Sequence, residues 1–212
     1  MPKQTTDGRV LRGEQTRQAI LRRAADIASV EGLEGLSIGR LATALDVSKS
    51  GVFAHFGSKE ELQLATIRVA AEVFAAHVAT PGLEHPPGAL RLWRLCDAWL
   101  DYAQAPVFPG GCFFCNASAE FDARPGRVRD ALADSLRLWQ QLLERTAADA
   151  QQLGELRDDV DVPQLTFELD AFARAANAVC LLGDDATAFA RARRAIRARI
   201  SAELTDPQLL PV

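Results

Sequence analysis

The chain has 212 residues, of which 48% are hydrophobic and 25% charged, and its formal net charge is −4. This composition is ordinary for a globular domain and excludes a largely disordered chain. Residues 1–60 contain nine Lys and Arg against seven Asp and Glu, whereas the remainder contains fifteen against twenty-one. The slight excess of positive charge in residues 1–60, beside an acidic remainder, is consistent with an N-terminal segment that contacts phosphate, and the asymmetry is modest.

Residue usage predicts a helical protein, because alanine, leucine and arginine dominate and β-branched residues are sparse. No apolar stretch of signal-peptide length follows Met1, and no run reaches membrane-spanning length. We therefore expect a cytoplasmic protein without a membrane partner. The four cysteines are too few and too scattered for the disulfide framework of a secreted domain.

The first segments of the chain predict an arm followed by a helix. Residues 1–12 are polar and contain proline and glycine, which predicts a flexible arm. From Glu14 to Glu31, apolar residues recur at spacings of three and four, as in an amphipathic helix. Gly32 is expected to end this helix.

Three serines then mark the starts of three more helices, since a serine hydroxyl can accept an otherwise unpaired backbone N–H of the first turn. Ser37 opens a second helix, and Ser48 opens a short third one that ends near Phe56. Ser58, with Glu61 three residues later, predicts a capping box. The fourth helix should run for about twenty residues and end before Pro81.

The stretch VSKSGVFAHFGSKEEL contains the third helix, which is too short to be stable without packing. Val52 and Phe56 are spaced to anchor it to its neighbours, while the other side carries small and polar residues. Helix, tight turn and short helix is the helix-turn-helix arrangement, and such a face suits entry into a DNA major groove. The alternative is that the serines are only caps and the lysines only a solvated face.

From Thr16 to Leu62 the sequence TRQAILRRAADIASVEGLEGLSIGRLATALDVSKSGVFAHFGSKEEL resembles the DNA-binding segment of the TetR family of transcription regulators. The resemblance implies three groups of DNA-contacting residues. Phosphate contacts come from the second helix, groove contacts from the third, and clamps on the DNA backbone from the residues at the next junction. In that order these are Ser37, Arg40 and Thr43; Lys49, Ser50, Gly51, Phe53 and Ala54; and His55 and Lys59.

Several positions depart from the family pattern. Phe53 stands where tyrosine is usual, so one hydroxyl contact to phosphate is lost. Asp46 stands where glycine is usual in the turn, which is tolerable because aspartate can adopt the left-handed conformation. Two further positions, Gly51 and Ala54, carry residues that are often larger and polar in the family, so direct base reading is expected to be sparse in hydrogen bonds.

The whole pattern predicts an all-α fold of about nine helices, with two domains. Residues 1–60 form a three-helix DNA-binding domain that includes the arm, and residues 61–205 form a helical domain for ligand binding and dimerisation. Residues 206–212 are expected to be a loose tail. The fourth helix joins the two domains and is the expected lever between them.

Aromatic and polar residues inside the second domain are candidates for a small-molecule pocket, because such sites are mostly apolar with a few polar groups. The candidates are Trp93, Cys112, Phe113, Asn116, Trp139, Phe172 and Asn177. Plain core packing is an equally good explanation for each of them. The last two helices carry apolar faces that either pack into the core or form a four-helix dimer seam. The family resemblance favours the seam, formed by Leu165, Leu169, Phe172, Val179, Phe189, Ile196 and Ile200.

Cys112 and Cys115 form a C-x-x-C motif, which can be a redox pair or half of a zinc site. No second C-x-x-C and no neighbouring histidine pair accompany it, and the surroundings show no βαβ pattern. We therefore expect no metal and no cofactor, and interpret both cysteines as small apolar side chains. The resemblance to the TetR family implies that this stretch opens the sixth helix beside the ligand pocket. A redox role remains the alternative.

Three functional hypotheses follow. The favoured one is a non-enzymatic regulator, a homodimeric repressor that a small-molecule effector releases from a palindromic DNA operator. The second is a helical thiol redox protein, or a redox-sensing regulator, that uses Cys112 and Cys115. The third is a helical interaction module whose DNA-binding segment has lost its function.

Overall fold

A computed structural model describes residues 8–105 and 107–210, with side chains described from residue 13 onward. Over these residues the chain forms nine helices and no strand beyond one isolated bridge, as the sequence predicted. The helices are α1 (Gly8–Glu31), α2 (Ile38–Leu45), α3 (Lys49–Phe56), α4 (Lys59–Leu83), α5 (Ala89–Gln104), α6 (Phe113–Phe121), α7 (Arg127–Gln152), α8 (Val162–Gly183) and α9 (Ala188–Ser201).

Helix α1 starts earlier than predicted. Its first residue is Gly8, so residues 8–12 of the expected arm are helical. The rest of that arm, residues 1–7, lies outside the described residues. Gly32 follows α1 with a φ of 83°, the left-handed conformation that glycine adopts most easily, and it ends the helix as expected.

The starts of α2, α3 and α4 form as the serine spacing predicted. The hydroxyls of Ser37, Ser48 and Ser58 each accept a backbone N–H three residues later at 3.1 Å. Asp46 occupies the left-handed region at φ 53°, which turns the chain from α2 into α3. The capping box is incomplete, because the carboxylate of Glu61 accepts from Arg127 at 2.7 Å.

Helix α4 is longer than the prediction and passes through Pro81. Residues Ala75–Ala79 form a π-helical turn, and Pro81 falls at the start of the last α-helical turn, where its missing N–H costs least. By length and composition α4 could also cross a membrane, but half of its apolar window is buried. Packing against α1, α5 and α7 accounts for that composition.

The second half of the chain packs around α5, α7 and α8, and the α8–α9 hairpin closes it. One continuous buried core runs from α1 to α9. The predicted loose tail is ordered over 206–210, where Pro207–Leu209 form a 3-10 turn and Leu210 is 4% exposed. Residues 211 and 212 lie outside the described residues.

Candidate nucleic-acid interface

Helix α3 is held on the body by one face and presents the other to solvent. Val52 and Phe56 are buried at 0% and 7% exposure, and the guanidinium of Arg17 stacks 4.9 Å from the centre of the Phe56 ring. The predicted groove-facing residues are all exposed: Lys49, Ser50, Gly51, Phe53 and Ala54. Among them, Phe53 presents a large apolar side chain at 55% exposure.

Two of the expected phosphate-binding cations are paired with carboxylates. Arg40 donates from two nitrogens to Glu31, and Lys59 Nζ lies 2.7 Å from Glu34 Oε1. Both carboxylates have a pKa below the ordinary value, chiefly because of these hydrogen bonds. The pairs are surface-exposed, and a DNA phosphate could replace either carboxylate at little cost.

The remaining predicted contacts lie around this cluster. Ser37 uses its oxygen as a cap and retains its proton for donation. The Thr43 hydroxyl donates to Gly39 O at 3.0 Å, and His55 is half-buried beside Phe56. Lys49 makes no ion pair with any residue that the structure describes. The geometry therefore brings the predicted cations and small residues to one surface.

Helix α6 is bonded directly to the turn between α1 and α2. The Glu120 carboxylate accepts the N–H of Leu33 at 2.7 Å and of Glu34 at 3.1 Å. Asn116 donates to Ser29 O at 3.0 Å, at the end of α1. These contacts join the helix-turn-helix to the second half of the chain, and the sequence offered no sign of them.

A cavity of about 390 Å³ lies between α4, α6 and α7. Its walls are mainly aromatic and aliphatic, and Phe74 meets Trp139 and Phe114 edge-on at 5.2 and 6.0 Å. Polar groups are few: Glu72, Ser135 and Arg174. The other lining residues are Ala71, Phe74, Ala75, Ala79, Trp99, Cys112, Phe114, Cys115, Leu136, Leu138, Trp139 and Leu142.

Of the seven predicted ligand-binding residues, Cys112 and Trp139 line this cavity. Three of the other predicted residues do not line this cavity. Trp93 is buried elsewhere, with Arg197 stacked 5.9 Å from its ring, and Phe113 packs in the core between Phe108 and Phe114. Phe172 lies on the outer surface of α8.

The two predicted asparagines border a second cavity, of about 540 Å³, between the end of α1, α6 and α8. Their amides already have partners within the chain. Asn116 donates to Gly110 O at 2.8 Å as well as to Ser29, and Asn177 Oδ1 accepts the N–H of Cys112 at 3.1 Å. Both asparagines therefore hold the start of α6 in place. Their amides were expected to bind a ligand, but in the structure they bind the backbone of the chain itself.

Most of the residues predicted for the dimer seam are instead buried within the protomer. Leu165, Leu169, Phe189, Ile196 and Ile200 are at most 2% exposed, because they pack α8 and α9 into the protomer's own core. Phe172 and Val179 are exposed at 36% and 46%. Both helices carry apolar residues on more than one face, and spacing alone could not tell the inner face from the outer one.

Comparison with known proteins identifies the family. Residues 20–66 match the model for bacterial regulatory proteins of the tetR family, and residues 88–196 match that for the tetracyclin repressor-like C-terminal domain. The HTH-type transcriptional regulator TcmR of Streptomyces glaucescens is 34% identical over 94 residues, 41% of this chain. The match spans only 42% of TcmR.

Solved structures share the fold over nearly the whole chain. A TetR transcriptional regulator from Chloroflexus aurantiacus J-10-FL has a TM-score of 0.84 at 25% identity, covering 91% of this chain and 98% of that one. AibR, solved in complex with isovaleryl coenzyme A and operator DNA, has a TM-score of 0.67 at 19% identity and covers 90% and 97%. Since the C-terminal model alone spans more than half of the residues, the chain belongs to the TetR family, whose members are DNA-binding transcription regulators and not enzymes.

Proposed function

We propose that this regulator is a cytoplasmic homodimeric repressor that binds a palindromic operator and leaves it when a small molecule fills the cavity between α4, α6 and α7. The observation that carries the proposal is the direct bonding of α6, a wall of that cavity, to the helix-turn-helix. AibR, which shares the fold, has been solved in complex with both isovaleryl coenzyme A and operator DNA.

In this proposal the exposed face of α3 enters the major groove. Lys49 and Ser50 supply donors, and Gly51 and Ala54 allow close approach of the backbone. The exposed ring of Phe53 suits apolar contact with a thymine methyl group. Ser37, Arg40, Thr43, His55 and Lys59 hold the DNA backbone, after Arg40 and Lys59 exchange their carboxylate partners for phosphates.

The proposed dimer face is an apolar stripe on the outside of α8. Phe172, Ala175, Val179 and Leu182 are exposed and follow one another at spacings of three and four, and Leu182 is 90% exposed. Two such stripes related by a two-fold axis would form a four-helix seam with α9. The two α3 helices would then meet half-sites roughly 34–36 Å apart, or at a multiple of that distance.

The effector that fits this cavity is a largely apolar aromatic compound. Four aromatic side chains line it, and the cation of Arg174 is already paired with Asp170. A negative charge on the ligand would therefore lose hydration without gaining a free cationic partner. Effector binding can release DNA only if the ligand prefers the conformation that fits the operator less well.

Selection of bound sequences from random duplexes at low ionic strength tests the DNA-binding part. We expect enrichment of a two-fold symmetric sequence whose half-sites recur about one helical turn apart. Enrichment of no sequence would support the alternative of an interaction module without DNA recognition.

Light scattering after gel filtration tests the dimer. Phe172→Glu should convert the dimer to a monomer, because it places a charge in an apolar seam. Phe167→Glu is the matched control: Phe167 is 64% exposed on the same helix but on another face. A wild-type monomer, or equal behaviour of the two variants, would contradict the assigned face.

Ligand-dependent thermal melting of a panel of apolar aromatic compounds tests the effector site. A ligand at a hundred times its Kd stabilises the folded state by about 2.7 kcal/mol, which a melting curve resolves. Leu136→Trp should abolish the shift by filling the cavity. Leu153→Trp, at an exposed position just after the same helix, should leave it unchanged.

A further inference from the structure

The two cysteines of the C-x-x-C motif line the cavity between α4, α6 and α7. Cys112 is the N-cap of α6 and is 1% exposed, and Cys115 follows in the first turn. Both line the cavity, and both are free thiols. Cys112 precedes the first turn of α6, so its side chain lies at the N-terminal end of the helix, and the two cysteines share one wall of the cavity.

This environment favours one thiolate and one thiol. The hydrogen bond from Cys115 is the main reason that the pKa of Cys112 is lowered, and the guanidinium of Arg174 acts in the same direction. The pKa of Cys115 is raised, because its proton is held by Cys112. Cys96 differs, since burial away from such donors raises its pKa.

We propose that Cys112 and Cys115 form a dithiol site that an organic hydroperoxide oxidises to a disulfide, and that this oxidation weakens DNA binding through α6. The thiolate of Cys112 attacks the hydroperoxide and the O–O bond breaks, which gives a sulfenic acid and an alkoxide. The alkoxide takes up from solvent the proton that Cys112 released and becomes the alcohol. The sulfur of Cys115 then attacks the Cys112 sulfur and expels hydroxide, which leaves as water with the Cys115 proton. The balance is two thiols and one hydroperoxide giving one disulfide, one alcohol and one water.

The cavity indicates an organic oxidant. Trp99, Phe114 and Trp139 surround the space next to the sulfurs, so an apolar substituent on the peroxide would be buried there. Hydrogen peroxide has no such substituent. We therefore expect cumene hydroperoxide to react roughly tenfold faster than hydrogen peroxide at equal concentration.

Helix α6 gives the oxidation a route to the helix-turn-helix. A disulfide holds the two β-carbons about 3.5–4.5 Å apart. Because Cys112 is the N-cap and Cys115 lies in the first turn, the bond would constrain the start of α6. Asn116 follows Cys115 directly, and Asn116 and Glu120 hold Ser29, Leu33 and Glu34 by hydrogen bonds. This second step rests on the proposed function, whereas the disulfide does not.

Intact mass and peptide mapping of the full chain test the chemistry without any DNA. Cumene hydroperoxide should remove two hydrogens per protomer and join Cys112 to Cys115, as the balance above requires. Cys112→Ser and Cys115→Ala should each prevent this, and Cys180→Ser should not. An unchanged mass in the folded wild type, a bond that involves Cys180, or equal rates with the two peroxides would overturn the assignment.

Hydrogen exchange tests the transmission, also without DNA. The amides of residues 30–36 should exchange faster in the oxidised wild type and not in treated Cys115→Ala. With a selected operator, oxidation should weaken binding by about 5- to 150-fold, the usual range of coupling between sites. A disulfide with unchanged exchange and unchanged affinity would overturn the link to α6. If no operator is found, the mass and exchange results still decide the proposal.

Discussion

Replacing Lys59 by alanine is the sharpest test of the proposed phosphate clamp. Lys59 stands at the start of α4, where backbone N–H groups also point towards an anion. Its Nζ lies 2.7 Å from Glu34, and the two side chains are 41% and 46% exposed. On DNA, this lysine would exchange an exposed carboxylate for a phosphate.

The change in affinity is the difference between two opposing effects. Each phosphate contact contributes about 0.9 to the slope of log K against log salt, equivalent to about fivefold in affinity at 0.15 M salt. Breaking an exposed ion pair costs about 0.2–1 kcal/mol, or up to about fivefold. The two effects are similar in size, so the net loss of affinity is small, whereas the slope is affected only by the phosphate contact.

Fluorescence anisotropy of a labelled operator between 50 and 200 mM salt measures that slope, over a range where such contacts change affinity by orders of magnitude. For a dimer with two clamps, Lys59→Ala should reduce the slope by about 1.8. Glu34→Gln should leave the slope unchanged and tighten binding up to about fivefold per protomer, because Lys59 no longer has to break an ion pair.

Arg145→Ala is a suitable control, since it removes a positive charge about 27 Å along α7 from Arg127, which contacts the start of α4. Its slope should equal that of the wild type. An unchanged slope for Lys59→Ala would refute the clamp. A reduction of only about 0.9 would mean that one protomer, not two, contacts the operator through this residue.

Three further predictions concern the interface, the turn and the cavity wall. Gly51→Leu should abolish operator binding and leave the circular dichroism spectrum unchanged, because a β-carbon at this position would contact only the Ser48 hydroxyl within the protein. Retained binding would contradict the assignment of α3 to the groove. Glu120→Ala should lower the free energy of unfolding by about 1–3 kcal/mol in urea, because two backbone N–H groups lose their acceptor. Trp139→Ala should cost about 3–5 kcal/mol, since the ring is 8% exposed and its N–H donates to Asp170 at 3.0 Å; a smaller loss would indicate that the cavity collapses.

Features that depend on neighbouring residues in sequence could be predicted. The serine caps act over three residues, and the left-handed turn at Asp46 needs only a side chain that tolerates positive φ. Val52 and Phe56 share one face of a short helix, so their burial also follows from spacing. These local signals were sufficient to identify the helix-turn-helix and its exposed face.

Features that depend on contacts between distant segments could not be predicted. Glu34 and Lys59 are 25 residues apart, and Glu120 is 87 residues from Leu33, so no periodicity links them. The same limit applies to α8, where Leu169 faces inward and Phe172 outward although both are apolar. The continuation of α4 through Pro81 depends on a π-helical turn, and no residue pattern in the sequence marks such a turn.

The structure also changes the expected path of the signal. From sequence, α4 alone was the expected lever, but the α1–α2 turn is bonded to two helices at one residue. Leu33 N–H donates to Glu120 of α6, and Leu33 O accepts from Gln63 of α4 at 2.8 Å.

The cavity lies between these same two helices, with Ala71 and Phe74 on one side and Cys112 and Phe114 on the other. A ligand that separates α4 from α6 must therefore strain one of two short hydrogen bonds to Leu33, or else move the turn and α2 with it. Because buried backbone groups rarely stay unpaired, movement of the turn is the cheaper response. In the proposed mechanism, occupancy of the cavity and the position of the helix-turn-helix would therefore be coupled at a single residue, Leu33.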